Sequence, residues 1–157
     1  MAGKKRRSTT RSGTNLESLS FYTFFLDRAL QSYDLRDALK EMGARVQMHR
    51  DHFPDDADDV VWLPVISKRR WIILTKDQFN WLERQAIKNS KGRAFMLVRG
   101  ELSGAEQVAI IRKALPDMLR LLDLTHDSFI AKIFRDGSVA IMNEPPTRPR
   151  RPYHRTE

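Results

Sequence analysis

Short apolar runs along the chain alternate with segments in which apolar residues recur at helical spacing. The runs predict buried β-strands, at 20–28, 44–49, 71–75 and 94–98. The segments between and after them predict helices, at 33–42, 60–66, 78–89 and 103–122. Strands that alternate with helices in this way favour a parallel sheet with helices on both faces.

The last part of the chain has a different pattern. Two apolar runs, 129–134 and 139–142, flank a turn at 135–138, which predicts a β-hairpin. Upstream, Pro116 is expected to kink or split the helix over 103–122. Helical spacing over 78–89 turns Phe79, Leu82 and Ala86 inward, with Ile87 as a further candidate for that face. The predicted fold class is therefore α/β, with a mainly parallel central sheet and a C-terminal β-hairpin.

Acidic residues stand where the predicted strands end. Asp27 closes the first strand, Asp77 follows the third, and an acidic loop with Asp51 and Asp59 follows the second. Ligands of such sheets bind at the carboxyl ends of the strands, and Mg²⁺ or Mn²⁺ prefers oxygen ligands together with substrate phosphates. Any one aspartate also has a plainer explanation as a helix cap. Their joint occurrence is what predicts a metal site.

Several residue types and motifs that other kinds of active site require do not occur in the sequence. The chain has no cysteine, which excludes a disulfide scaffold, a zinc–thiolate site and a thiol nucleophile. The histidines lack zinc spacing, so His49 is interpreted as a packing or supporting residue. Neither a Gly-rich phosphate loop nor a serine-hydrolase elbow occurs. Metal-assisted hydrolysis of a phosphodiester is the reaction class that the acids support.

The net charge of +8 is concentrated at the two ends of the chain. Residues 1–15 carry +5 and residues 144–157 carry +2, which leaves only +1 for the rest. We predict a disordered basic tail over 1–15 and a Pro/Arg-rich tail over 144–157, which either contact phosphates or only solubilise the chain. No apolar run approaches the about 18 residues of a membrane span, so the expected location is the cytoplasm.

Four short motifs follow one another along the chain. They read FFLDR at 24–28, HRDHFP at 49–54, DVVW at 59–62 and WIILTKD at 71–77. In this order and spacing they resemble the PIN-like domains of the VapC toxin group, and the similarity continues into 129–137. The resemblance implies a three-layer α/β/α PIN-like fold over 16–143. It also implies an endoribonuclease that depends on Mg²⁺ or Mn²⁺ and serves as the toxin of a toxin–antitoxin pair.

The same resemblance assigns roles to the acids. Asp27 becomes the metal ligand after the first strand, Asp77 the ligand after the third strand, and Asp59 the acid on the intervening helix. These three are the predicted catalytic residues, and Asp51 is a weaker fourth metal ligand. The family pattern has a Glu in its second acidic position and another acid after the fourth strand, where this chain offers only Glu101.

Partners are implied as well. RNA, a cognate antitoxin and a second copy in a homodimer are the expected ones, with Arg28 and Lys76 as the candidate contacts to RNA phosphates. The alternative for Arg28, which stands beside Asp27, is that it only neutralises the acidic cluster. Because the acid set is reduced, a catalytically inactive PIN-like module that binds RNA or protein stays open as the alternative. A phosphoacceptor receiver domain fits less well, since it needs paired acids after the first strand and a lysine after the last.

Overall fold

The computed structural model describes residues 15–30, 32–98 and 100–142. The two predicted tails lie outside these residues, except for Asn15. In the described part, six strands form one sheet that has helices on both faces, which confirms the predicted three-layer α/β/α class. None of the helices described is long and apolar enough to cross a membrane.

The sheet is parallel except at one edge. Its strands in chain order are β1 Thr23–Leu26, β2 Arg45–Met48, β3 Ile72–Thr75, β4 Arg93–Leu97, β5 Phe129–Ile133 and β6 Val139–Ile141. Across the sheet the order is β2-β1-β3-β4-β5-β6, and only β6 runs antiparallel to its neighbour. The mainly parallel sheet and the C-terminal hairpin were therefore predicted correctly. Leu26 lies opposite both Met48 and Leu74, so that β1, β2 and β3 end at the same edge.

Four α-helices connect the strands. They are α1 Tyr33–Glu41, α2 Asp59–Lys68, α3 Trp81–Asn89 and α4 Gly104–Leu124. Ser32, Asn80 and Ser103 cap α1, α3 and α4 by accepting a backbone N–H from the first turn. Helix α2 follows Asp58, whose side chain makes no such hydrogen bond. The acids at the start of α2 are therefore not explained by capping.

Different side chains fill the two sides of the sheet. Helices α1 and α4 pack through aliphatic residues such as Leu39 and Leu119. Helices α2 and α3 pack on the other side through a smaller and more aromatic cluster that includes Phe25 and Trp62. On that second side Ile130 of β5 is only half-buried. One strip of the sheet is therefore left open beside α3.

Two helices differ from their prediction. Helix α3 begins at Trp81, three residues later than expected, because Asn80 caps it. As a result Leu82 is 61% exposed, so its inward placement was wrong, whereas Phe79 and the further candidate Ile87 are buried. Helix α4 runs unbroken through Pro116, so the predicted split is wrong. One missing backbone hydrogen bond is outweighed there by residues that α4 buries on both sides of the proline, Leu115 and Met118.

Candidate active site

Asp27 is held firmly at the carboxyl end of β1. Its backbone N–H donates to the Leu74 carbonyl at 3.1 Å. Its carboxylate accepts from the Arg28 backbone N–H at 2.6 Å and from the Thr75 hydroxyl at 2.7 Å. The Thr75 oxygen in turn accepts from the Asp77 backbone N–H at 3.0 Å. Thr75 thus connects two of the predicted aspartates across the β1–β3 pair.

The third predicted aspartate binds a cation from this chain. Nη2 of Arg28 donates to Oδ1 of Asp59 at 2.6 Å, and the indole N–H of Trp62 donates to the same oxygen at 2.9 Å. The guanidinium also donates to the Asp55 carbonyl, while its Nε lies 4.0 Å from Oδ1 of Asp27. Arg28 therefore sits between Asp27 and Asp59, and the structure places it on a carboxylate and not on an open phosphate-binding surface.

Burial is the main influence on Asp27. The side chain is only 2% exposed, and desolvation raises the pKa of its carboxyl to about 6, with smaller increases from the charges of Asp77 and Asp59. Hydrogen bonds from Thr75 and from the backbone of Arg28 oppose this increase. A carboxyl group that titrates so close to neutrality is typical of functional sites.

Glu83 belongs to the same cluster, although the sequence analysis missed it. Burial, a carboxyl–carboxyl hydrogen bond with Asp59 and the charges of Asp59 and Asp77 raise its pKa to about 7, against the effect of a hydrogen bond from the Asn80 backbone. The sequence signal was the capping-box spacing Asn80-x-x-Glu83. Starting the helix at residue 78 hid that signal, because it placed Glu83 in the second turn.

Other predicted site residues lie apart from the cluster. Asp51 is exposed in a 3-10 segment, His49–Asp51, and Glu101 is exposed after β4. Neither is among the charges that raise the pKa of Asp27. Lys76 is half-buried, with its Nζ 3.5 Å from the Gly100 carbonyl. The structure therefore brings Asp27, Asp59 and Asp77 together but leaves Asp51 outside.

His49 lies beneath the cluster in aromatic surroundings. Its ring is fully buried, 5.5 Å from the Phe53 ring and 5.4 Å from the Trp62 ring. Among the residues that the structure describes, neither of its nitrogens has a hydrogen-bond partner. Burial, followed by the charge of Arg28, lowers its pKa. A neutral, packed imidazole agrees with the interpretation of His49 as a packing residue.

The donor chemistry of the cluster suits a hard divalent ion, since Asp27, Asp59, Asp77 and Glu83 all offer carboxylate oxygens. Their arrangement is less favourable. Within the ranges that the structure describes, no group of three or more histidine or carboxylate side chains is placed to hold a metal ion. The guanidinium of Arg28 also competes with a metal ion for this set, because it already neutralises Asp59.

Known proteins provide one comparison. A family model described as PIN-like domain matches residues 22–99. The matched segment runs from β1 to the end of β4 and contains all four clustered carboxyl groups. No curated protein and no solved structure matches the chain.

Proposed function

We propose that this chain hydrolyses RNA phosphodiesters as a metal-dependent endoribonuclease. The match of residues 22–99 to a PIN-like domain model supports this proposal, because PIN-like domains are generally nucleases. The observation that carries the proposal is the group of four carboxyls at the carboxyl ends of β1 and β3. That place is where the strand order reverses, and such a reversal is the usual ligand site of an open α/β sheet.

The carboxyls of Asp59 and Glu83 form a pair suited to proton transfer. Burial, followed by the interaction with Asp59, raises the pKa of Glu83 to about 7, so that Glu83 can take up or release a proton near physiological pH. Hydrolysis needs a water molecule to attack phosphorus while the bond to the leaving sugar oxygen breaks. An acid pair of this kind can accept the proton of the water and return one to that oxygen.

We propose Mg²⁺ or Mn²⁺ as the cofactor, on the strength of the donor set. When bound, such an ion would neutralise charge on the phosphoryl oxygens. Because Arg28 already occupies Asp59, a carboxylate set for the ion requires the guanidinium to leave that carboxylate. Arg28 is then free to meet a substrate phosphate. A role as the toxin of a toxin–antitoxin pair is part of the same proposal.

Removal of the Asp27 charge tests the proposed ribonuclease activity. We expect Asp27→Asn to lower RNA cleavage by about 100-fold or more and to abolish growth inhibition when the chain is expressed. Asp117→Asn makes the same change on the exposed side of α4 and should leave both unchanged. Full toxicity of a folded Asp27→Asn protein contradicts the proposal.

Thermal unfolding in the presence of Mn²⁺ tests the cofactor without a substrate. An ion that binds only the folded chain raises the melting temperature. We expect a small rise for wild type, a larger one for Arg28→Gln, in which the competing cation is gone, and none for Asp27→Asn. Equal rises in all three proteins would place the ion elsewhere.

A catalytically inactive binding module is the second candidate, and the Arg28–Asp59 ion pair is the observation that favours it. In that case the guanidinium permanently neutralises the acids. Neither wild type nor Arg28→Gln then responds to Mn²⁺ or cleaves RNA, although both still bind it.

A further inference from the structure

A groove lies on the open strip of the sheet, away from the carboxyl cluster. It begins in a cavity of about 310 Å³ between α3 and the β5–β6 hairpin. Arg84 and Lys88 line the α3 side, Ile130 and Met142 line the hairpin side, and Asp127 is the acid at its end. The backbone N–H of Met142 donates to the Ile130 carbonyl at 2.8 Å, so the apolar side is fixed by the hairpin itself.

The same face continues past the cavity along β5. Residues two apart on a strand share a face, and Lys132 therefore follows Ile130. Its Nζ lies 5.5 Å from the centre of the Phe134 ring, which is 38% exposed. Ala140, the partner of Lys132 on β6, is small and exposed. Nothing bulky on the hairpin therefore covers this part of the face. We call the whole strip the α3/β5 groove.

Strand register connects the groove with the candidate active site. Lys132 pairs with Met96 on β4, and Met96 pairs with Thr75 on β3. Thr75 is the residue that donates to Asp27. Two strand spacings amount to about 10 Å, so the side chain of Lys132 starts about that far from Thr75. The groove leads from its cavity towards the carboxyl cluster.

Charge indicates what the groove holds. Within the described ranges, no carboxylate forms an ion pair with Arg84, Lys88 or Lys132. Arg84 and Lys88 are four residues apart on α3, which brings their Cβ atoms to within about 6 Å. Cations in a row beside an exposed aromatic ring are typical of surfaces that bind single-stranded nucleic acid, with phosphates on the cations and bases stacked on the ring.

We propose that the α3/β5 groove binds single-stranded RNA and guides it to the carboxyl cluster. The inference rests on the proposed nuclease function, whose substrate it narrows to an unpaired strand. An acidic peptide is the other ligand that the cations would attract. The exposed Phe134 ring and the apolar hairpin side favour RNA over such a peptide, because a base can stack there whereas a carboxylate cannot.

Binding of a labelled single-stranded RNA of about 16 nucleotides, measured by fluorescence anisotropy in EDTA, tests this without cleavage. The groove variant is Arg84→Gln/Lys88→Gln/Lys132→Gln. The control removes the same charge from the α1/α4 face and is Lys40→Gln/Arg112→Gln/Lys113→Gln. Both are used as the full chain. We expect the groove variant to lose about tenfold or more in affinity. The slope of log affinity against log salt should decrease by about 2, since each phosphate contact contributes about 0.7.

The control variant should bind within about twofold of wild type, because a general charge effect is screened at physiological salt. Equal losses in both variants, or no loss in the groove variant, overturn the proposal. The proposal is also overturned if a polyglutamate peptide binds in the groove and the RNA does not. Cleavage is measured separately, so a chain that binds RNA in the groove yet never cleaves it refutes only the proposed nuclease function.

Discussion

The two sides of the sheet differ in what they bury and in what they leave open. On one side α1 and α4 seal the strands with aliphatic residues such as Leu39, Leu119 and Leu122. On the other side α2 and α3 pack on aromatic residues, and the first turns of these two helices supply Asp59 and Glu83 to the carboxyl cluster. The second side also leaves β5 uncovered, where the α3/β5 groove lies.

Most of the unsatisfied polar atoms follow the same division. Within the described residues, the buried ring nitrogens of His49 and the buried hydroxyl of Ser67 lack a hydrogen-bond partner and lie on or beside the α2/α3 side, as does the side-chain nitrogen of Gln78 just before α3. The exception is Oε1 of Gln107 on α4. Desolvated groups of this kind cost stability, as does the buried carboxyl of Asp27. Stability is therefore expected to come mainly from the α1/α4 side, and chemistry from the α2/α3 side. The predictions below test that division.

The largest effect is expected in the aliphatic core. Leu119→Ala removes a fully buried side chain from the α1/α4 side and should lower the free energy of unfolding by about 3 kcal/mol, measured by urea denaturation. Leu124→Ala on the same helix changes an exposed side chain and serves as the control. RNA affinity of the folded Leu119→Ala protein should equal that of wild type. A selective loss of RNA binding would contradict the assignment of stability to the α1/α4 side and of chemistry to the α2/α3 side.

Asp27 should make stability depend on pH in the opposite sense to an ordinary paired aspartate. Its pKa is about 6 in the folded chain against 3.8 when unperturbed, so between these values the folded state retains a proton that the unfolded state has lost. The free energy of unfolding therefore decreases as pH rises from about 4 to about 6, by about 3 kcal/mol at most.

Comparison with Asp27→Asn isolates this contribution. Urea denaturation in EDTA at pH 4 and at pH 7 should show the variant gaining stability relative to wild type as pH rises. Glu83 and other groups titrate in both proteins and largely cancel. A stability difference that is constant with pH would mean that the Asp27 carboxyl is not destabilised by burial.

The sequence predicted the strands well because a central parallel strand is apolar on both faces, and runs such as Trp71–Thr75 carry no competing signal. The start of the first strand was predicted too early, since Phe21 belongs to a 3-10 segment and β1 begins at Thr23. The sequence also brought Asp27, Asp59 and Asp77 together, since strand ends meet at one edge. Contacts between residues far apart in the chain could not be predicted from the sequence. No local pattern shows that Arg28 binds Asp59, or that Lys132 continues a cationic row begun on α3, because both depend on packing of segments far apart in the chain.

Helical spacing failed on the charged side of α3, where it turned Leu82 inward and missed Glu83. Both errors have one cause, which is the position of the N-cap. Once Asn80 ends the preceding loop, the face of α3 that packs on the sheet excludes Leu82 and is centred on Ile87, which the spacing had offered only as a further candidate. The α2/α3 side is thus the less predictable one, because its helices are placed by polar caps as well as by apolar periodicity.

The smallest expected effect tests that orientation of α3. Leu82→Ala should change the free energy of unfolding by less than about 0.5 kcal/mol, since the side chain is already mostly in water and alanine favours the helix. Ile87→Ala on the same helix should cost about 2 kcal/mol, because it leaves a cavity under α3. Both are measured by urea denaturation. If Leu82→Ala were the costlier change, the helix would face the sheet as apolar spacing alone predicts, and Glu83 would be turned away from Asp59.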